Sequence, residues 1–430
     1  MRSAKAYAHE TGTERSRDRS PTPENNRSKG PVTKKSAQTI SSSEDESEII
    51  SDYEPMDLDD KMEDPENSGG EKGKARNKSV ISTMSSLVST HLRVIGLRSC
   101  GTVFEKPGTE LALKKGTMPG LWTDFCLTNK VHNAVKHVRT VMQEAFPSST
   151  IPMTPLCHEY HPADHEEFWL ANLPSFPAGY RSTQPVFIVD RILQLPQRTR
   201  NDLIQEYFDQ DEQAQQEAKD HPDNTDCLAR IYLGERESDK QKSDFYDSLR
   251  NFPLRLNMIK DLKVDVSELA AEMAIGLAIM HWQAQVDGMD VEFVLGSSTT
   301  WDRERAAGYD DDDEEPEHTV ESIKFKHREV HLWMLDFDKA TKINLTKHDV
   351  KTKLAPAFLG NDPYYPRPQV DEELWDEFCS AYLKASEIIL RGKAVNQRVM
   401  GLPQRFLDEA LRVLREHENW NEEENIVFAE

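Results

Sequence analysis

The sequence contains no long apolar run and no closely spaced pair of cysteines. A membrane-spanning helix needs roughly 20 consecutive apolar residues, and no stretch of this chain reaches that length. The N-terminal segment MRSAKAYAHETGTERSRDRS has no apolar core, so we expect no secretory signal peptide. The five cysteines are scattered and odd in number, which is typical of reduced thiols. We therefore expect a soluble protein of the cytoplasm or nucleus without a membrane partner.

Positive charge is also scarce. The 430 residues include 76 acids and 53 Lys and Arg, which gives a net charge of -23. Such an excess repels phosphate backbones and anionic lipid head groups, so it disfavours nucleic acid and membrane surfaces as partners. The same charge favours solubility and basic partners.

Aromatic residues are almost absent from the first 85 residues, which are rich in Ser, Pro and charged residues. Such a segment cannot bury enough apolar area to offset its conformational entropy, so residues 1–85 are predicted to be a disordered acidic tail. The stretch from Glu44 to Glu66 has one base, Lys61, and its serines suit acidophilic kinases. Regulated charge and a merely solvating tail are both open interpretations.

From about residue 86 the pattern becomes that of a folded α+β domain. The runs HLRVIGLRSCGTVFE and ELALKKG predict two strands, Leu121 to Ala145 predicts a helix, and PVFIVDRILQLP predicts a buried strand. These elements would form a small β-rich lobe with a hinge, residues 86–195.

A larger, mainly helical lobe is predicted over residues 196–420. Its core helix runs to about Trp282, because apolar residues recur there at helical spacing. These residues are Leu262, Val266, Leu269, Met273, Leu277 and Met280. A β-hairpin follows, with an acidic loop insert at residues 299–328, and two helices complete the lobe, at about 372–391 and 402–418.

Two motifs in the small lobe suggest contacts to phosphate. Gly96 and Gly101 flank a hairpin turn, and glycines let a backbone approach phosphates closely. Leu111-Ala-Leu-Lys114 places a lysine on the next strand, while Lys115 would point to the opposite face. The alternative is an ordinary hairpin followed by an ordinary pair of strand lysines.

Two acidic motifs follow the core helix. Asp287 and Glu292 lie five residues apart before a predicted strand, and Asp336-Phe337-Asp338 ends the strand after it. Carboxylate oxygens are ligands that Mg²⁺ prefers, although two adjacent carboxylates without a cation would repel each other. The alternative is that these acids are solvated loop ends.

In this order the motifs resemble those of kinase-like phosphotransferases, which implies a two-lobed kinase-like fold with ATP and Mg²⁺ as its cofactors. The resemblance assigns a catalytic role to Asp287 and metal-binding roles to Glu292 and Asp336. It assigns cofactor-binding roles to Gly96, Gly101, Lys114 and two hinge residues, Asp190 and Ile192.

This sequence departs from the kinase pattern at several positions. One of three loop glycines is missing, Glu292 replaces an asparagine and Asp338 replaces a glycine. The predicted helix offers only Asp124 and Glu144 to pair with the lysine, which puts that ion pair in doubt. We therefore expect an impaired, pseudokinase-like binding or regulatory protein with a protein partner. The alternative is an active phosphotransferase with a small-molecule substrate.

The segments FVLGSS, LWMLDFDKA and NDPYYPRP also resemble a fungal family catalogued as a domain of unknown function and often labelled zinc finger protein. That label implies a zinc-associated regulatory protein as a third hypothesis. Its candidate ligands are the Cys and His residues of CHEYHPADH, residues 157–165. Their spacing matches no standard zinc finger, and a polar loop with stray histidines is the alternative.

Overall fold

The computed structural model describes residues 91–98, 100–238, 246–299 and 328–427. The predicted tail, residues 1–85, and nearly all of the predicted acidic insert, 299–328, lie outside these ranges. The described part is a mixed α+β structure, which confirms the predicted class.

The strands belong to two sheets, ordered β1-β2-β3-β5-β4 and β7-β6-β8-β9. They are β1 Arg93–Arg98, β2 Gly101–Glu105, β3 Leu111–Gly116, β4 Cys157–His161, β5 Val186–Asp190, β6 Ala229–Tyr232, β7 Pro253–Arg255, β8 Glu292–Thr299 and β9 Arg328–Leu335. All pairs are antiparallel except β6 with β7.

The α-helices are α1 Gly120–Ala145, α2 Glu166–Asn172, α3 Gln197–Tyr207, α4 Glu212–Asp220, α5 Leu256–Asp261, α6 Val266–Ala278, α7 Lys347–Asp349, α8 Ala355–Gly360, α9 Glu372–Gly392, α10 Gln397–Met400 and α11 Leu402–Val427. Short 3₁₀ turns occur at Leu173–Ser175, Ala178–Tyr180 and Pro222–Thr225. Single π-helical turns occur at Ile279–Ala284 and Val350–Leu354. None of the helices in the described ranges combines the length and apolar character needed to cross a bilayer.

The first sheet is covered on both faces, which fixes where the side chains of β3 point. Ala112 packs with Leu121 of α1 on one face, whereas Leu113 packs with Phe104 and Phe176 on the other. Since side chains alternate along a strand, Lys114 lies on the face that α1 covers.

The main hydrophobic core surrounds α6, which is apolar almost all round because it is buried by α9, β9 and the π turn that follows it. Asp265 caps its N-terminus by accepting hydrogen bonds from the amides of Ser267 and Glu268. At its other end, Trp282 is fully buried and Gln285 adopts a left-handed conformation that ends the helical run. The chain then passes directly into the segment that carries Asp287.

Two local predictions were wrong. Leu262 is not part of the core helix, because the chain breaks between α5 and α6 where Lys263 has a positive φ of 58°. CHEYH of the predicted polar loop is a strand, β4, at the edge of the first sheet. An edge strand exposes one side to solvent and therefore accepts polar residues.

Candidate functional site

Lys114 connects the first sheet to the segment after β9. Its ammonium Nζ lies 2.5 Å from Oδ2 of Asp124 and 2.7 Å from Oδ1 of Asp336. All three side chains are less than one-tenth exposed. Burial alone would lower the pKa of Lys114, but the two carboxylates outweigh it and raise that pKa. The lysine is therefore a fixed cation between two acids.

Asp124 supplies the carboxylate on α1 that sequence reasoning left in doubt. It lies on the first turn and a half of the helix, and its Oδ1 accepts hydrogen bonds from Thr128 Oγ1 at 3.1 Å and from the Phe337 amide at 2.9 Å. One side chain thus ties together β3, α1 and the backbone just after Asp336. The short side chain of Asp124 reaches Lys114 because α1 begins close to β3.

Cys100 also reaches this cluster, although sequence reasoning gave it no role. Its Sγ and one oxygen each of Asp124 and Asp336 lie within 4.8 Å of one another, and this trio is the potential metal-ligand group found in the described ranges. Burial raises the pKa of the Cys100 thiol to about 12. Structural zinc sites are built from four ligands, chiefly Cys and His, whereas this group offers one thiol and two carboxylates that the ammonium of Lys114 already bridges. The donor set does not fit zinc.

Asp338 lies beside the same cluster and is partly buried. Burial and the nearby charge of Asp336 raise the pKa of its carboxyl. The start of α1 adjoins this group, since a Cβ on Gly120 would lie 3.3 Å from Cys100 Cβ and 3.7 Å from Asp338 Cβ.

The predicted catalytic residue, Asp287, is buried and its carboxylate is already hydrogen-bonded. Oδ1 accepts from the amides of Met289 at 3.1 Å and Thr341 at 2.9 Å, and Oδ2 accepts from Thr341 Oγ1 at 2.6 Å. Asn361 supports the same loop through 2.6 Å hydrogen bonds with the Asp290 amide and the Gly288 carbonyl. These hydrogen bonds attach the Asp287 loop to Thr341 and Asn361.

Glu292, a predicted metal ligand, is not part of the Lys114 cluster. Its carboxylate forms a salt bridge with Arg230 of the neighbouring strand β6, and both side chains are mostly buried. The guanidinium therefore neutralises the charge that the sequence assigned to Mg²⁺. Glu292 is the first residue of β8 and lies opposite Leu335 of β9.

The two glycines predicted to contact phosphate serve different purposes. A Cβ on Gly101 would overlap the backbone carbonyl oxygen of Lys115, so Gly101 allows β2 and β3 to approach each other. A Cβ on Gly96 would make only ordinary contacts with Val103. Packing between strands accounts for Gly101 without any phosphate.

The predicted hinge residues, Asp190 and Ile192, lie at the end of β5 and just beyond it. The Asp190 carboxylate contacts His158 Nε2 at 2.6 Å, and its amide donates to the Leu156 carbonyl. The side chain of Ile192 lies against Gly296 of β8. These contacts join the hinge to protein groups and do not include Lys114.

An ion-pair cluster near this hinge was not predicted. Arg93 of β1 pairs with Glu105 of β2 and, through both terminal nitrogens, with Asp226 before β6. Arg191 completes the cluster by pairing with the same two acids. Long-range partners of this kind leave no spacing signal in the sequence.

The candidate zinc ligands of CHEYHPADH diverge. Cys157 packs among apolar side chains, whereas His158 pairs with Asp190. His161 and His165 contact each other through Nδ1 atoms 3.0 Å apart, and His161 stacks on Phe168. These four residues therefore take part in packing and in pairwise contacts, and they do not converge on one point.

Residues 332–394 match the model of a domain-of-unknown-function family described as "Zinc finger protein". The matched segment runs from β9 to just past α9 and includes Asp336. It contains one cysteine, Cys379, and one histidine, His348, so it lacks the four ligands of a zinc finger. No curated protein and no solved structure matches the chain.

Proposed function

We propose that this chain is a kinase-like binding or regulatory protein that holds a nucleotide weakly and is impaired in phosphoryl transfer. The observation that supports the proposal is the contact of Lys114 with Asp336. A strand lysine, a helix carboxylate and a carboxylate at the end of a later strand are the groups that a kinase-like site uses to position phosphates and a metal ion.

The charges of the cluster limit what it can bind. Two carboxylates around one ammonium leave a net charge of -1 if all three are ionised, which repels a bare phosphate. A phosphate accompanied by a divalent cation would meet less repulsion. Lys114 and Asp336 are the residues that would hold ATP with Mg²⁺. The bound ATP would supply the transferable phosphoryl group, and Mg²⁺ would neutralise part of its charge. Lys114 donates to Oδ1 of Asp336, and the Asp336 carboxylate is the group that would help to hold the cation.

Two contacts favour impaired transfer. Asp287 can accept a proton from a substrate hydroxyl only if an oxygen is accessible, and three protein donors occupy its carboxylate. Glu292 forms its salt bridge with Arg230 and so offers no free carboxylate to a second metal ion. Binding without efficient chemistry follows from both.

A thermal unfolding experiment with Mg-ATP tests the nucleotide site. A concentration of about 5 mM Mg-ATP, on the order of a weak dissociation constant, would stabilise the fold by about 0.4 kcal/mol, so we expect the unfolding midpoint of the wild type to rise by about 0.5–1 °C. Lys114→Met and Asp336→Asn should lose this ligand-dependent rise. Lys136→Met, an exposed lysine on the same helix as Asp124, is the matched control and should keep it. An equal rise in all four proteins would place the nucleotide elsewhere, and no rise in the wild type would refute nucleotide binding.

The second candidate function is an active ATP- and Mg²⁺-dependent phosphotransferase acting on a small molecule. The contact of Lys114 with Asp336 is compatible with it as well, because an active site would need the same pair. This alternative predicts ADP formation that disappears in Asp287→Asn.

A location in the cytoplasm or nucleus and an interaction with a protein partner remain parts of the proposal.

A further inference from the structure

Lysines are concentrated in three segments of this acidic chain. Residues 126–143, 339–353 and 384–398 together contain twelve Lys and Arg but two acids, Asp349 and Glu387. Both acids are used locally: Asp349 accepts from the Asn344 amide and lies 3.6 Å from Lys353, and Glu387 pairs with Arg391. The rest of the chain is correspondingly more acidic than its overall charge of -23.

The three segments meet beside the Asp287 loop. Val286 forms an isolated bridge with Lys342, and Lys353 Nζ donates to the Lys342 carbonyl at 2.7 Å. Lys393 Nζ, just after α9, donates to the Gln283 carbonyl at 3.2 Å. The residues from 283 to 287 are therefore flanked by lysines from two segments.

Helix α1 extends this positive surface. Lys384 of α9 donates to the carbonyl of Ala145 at the end of α1, so the two helices lie side by side. Burial and the neighbouring charge of Lys130 on α1 lower the pKa of Lys393 to about 8, in keeping with this proximity. We call the combined surface the basic strip. Its members are Lys130, Lys136, Lys339, Lys342, Lys347, Lys351, Lys353, Lys384, Arg391 and Lys393.

We propose that the basic strip binds an acidic peptide segment of a partner protein, next to the loop that carries Asp287. Six of its lysines are exposed, namely Lys136, Lys339, Lys342, Lys347, Lys351 and Lys384, and Lys339 among them is paired with Asp290. Lysine acts as a flexible point charge without a fixed binding geometry, so the strip would attract a run of carboxylates through charge rather than through one defined contact.

Length also favours a short peptide over a nucleic acid. A polyanion longer than the strip would extend onto the acidic remainder of the surface and be repelled there. A peptide that carries its acids in a single short run could stay within the strip, where lysines outnumber the acids Asp290, Asp349 and Glu387. The overall negative charge predicts basic partners for the protein as a whole, whereas the basic strip predicts an acidic partner at this one surface.

Fluorescence anisotropy with a labelled twelve-residue Glu/Asp peptide tests the proposal on the full chain. We expect binding at low salt that weakens at least tenfold between about 0.05 and 0.3 M salt, because exposed charges are screened. The double variant Lys136→Glu/Lys342→Glu should weaken binding by about tenfold. The matched control is Lys219→Glu/Lys263→Glu, which makes the same charge change outside the strip and should change affinity less than twofold.

Three results would overturn the proposal. The first is an absence of peptide binding at low salt, and the second is equal peptide binding by the strip variant and its control. The third is tighter binding of a DNA or RNA oligonucleotide than of a peptide of equal charge. If the Glu variant does not fold by circular dichroism, Lys136→Gln/Lys342→Gln should still weaken peptide binding by about threefold. Because the assay contains no nucleotide, its outcome is independent of the Mg-ATP experiment.

Discussion

Thr341 donates two hydrogen bonds to the carboxylate of Asp287, one from its amide at 2.9 Å and one from its hydroxyl at 2.6 Å. The Asp287 amide in turn donates to the Thr341 carbonyl at 3.0 Å. The two residues are 54 positions apart, so this contact fastens the Asp287 loop to the segment that follows Asp336. The Asp287 carboxylate is therefore a structural group as well as a candidate base.

Removal of the Thr341 hydroxyl should destabilise the fold. Thr341→Val keeps the shape of the side chain but leaves a buried, charged acceptor with one donor fewer, so we expect a loss of about 2 kcal/mol in the free energy of unfolding. Thr341→Ser retains the hydroxyl and serves as the control. Urea denaturation would measure both, and equal stability of the two variants would show that the hydroxyl contact contributes nothing.

Lys114→Met should be among the most destabilising substitutions in the first sheet. It leaves Asp124 and Asp336 buried and facing each other without a cation, which costs about 3–5 kcal/mol when a buried ion pair is broken from one side. A second substitution, Asp124→Asn, should recover part of this loss by removing one of the unpaired charges. If the double variant is no more stable than Lys114→Met in denaturant titrations, repulsion between the carboxylates is not the cause.

Glu272 should make stability depend on pH. It is buried on α6, where it accepts hydrogen bonds from the amide and hydroxyl of Thr150, and burial raises its pKa from 4.5 to about 7. Between these values the unfolded chain loses its proton while the folded chain keeps it. Stability should therefore fall as pH rises from about 4.5 to 7, by up to about 3 kcal/mol.

Glu272→Gln tests this dependence because its amide stays neutral and still accepts from Thr150. The variant should be more stable than the wild type at pH 8 and should lack this contribution to the pH dependence. Glu377→Gln, an exposed change on α9, is the control. Parallel pH profiles for the wild type and Glu272→Gln would contradict the assignment.

Arg93→Met should loosen the connection between the first sheet and the helical part. The substitution removes the bidentate contact with Asp226 and leaves that acid with Arg191, whose nearest nitrogen is 3.7 Å away. We expect a loss of about 2 kcal/mol, less than for a fully buried pair because 40% of the Arg93 side chain is exposed. Arg391→Met, at a far more exposed salt bridge, should have little effect. Calorimetric unfolding of both variants would measure the difference.

Periodicity and strand composition predicted much of the local structure. The helix from Gly120 to Ala145, the core helix and the hairpin of β8 and β9 follow from patterns of apolar residues that the core then buries. The edge strand β4 was predicted as a loop because polar residues fill it, which an edge position allows. The pattern of apolar residues therefore predicts buried helices and strands well, but it predicts edge strands poorly.

Tertiary contacts of polar groups were harder to predict. Lys114 and Asp336 were identified from motifs, but the ion pair with α1 was put in doubt because that helix offers only Asp124 and Glu144. The salt bridge of Glu292 with Arg230 could not be foreseen, because those residues are 62 positions apart and nothing in either segment specifies the other. Which charges meet is decided by how the two sheets and α1 pack.

Turnover of ATP tests the central claim most directly. The wild type, Lys114→Met and Asp287→Asn would be incubated with Mg-ATP, and ADP would be measured by chromatography. The account predicts that the wild type forms ADP far below the roughly 1–100 s⁻¹ typical of kinases and no faster than the two variants. Formation of ADP at kinase-like rates that both substitutions abolish would contradict it.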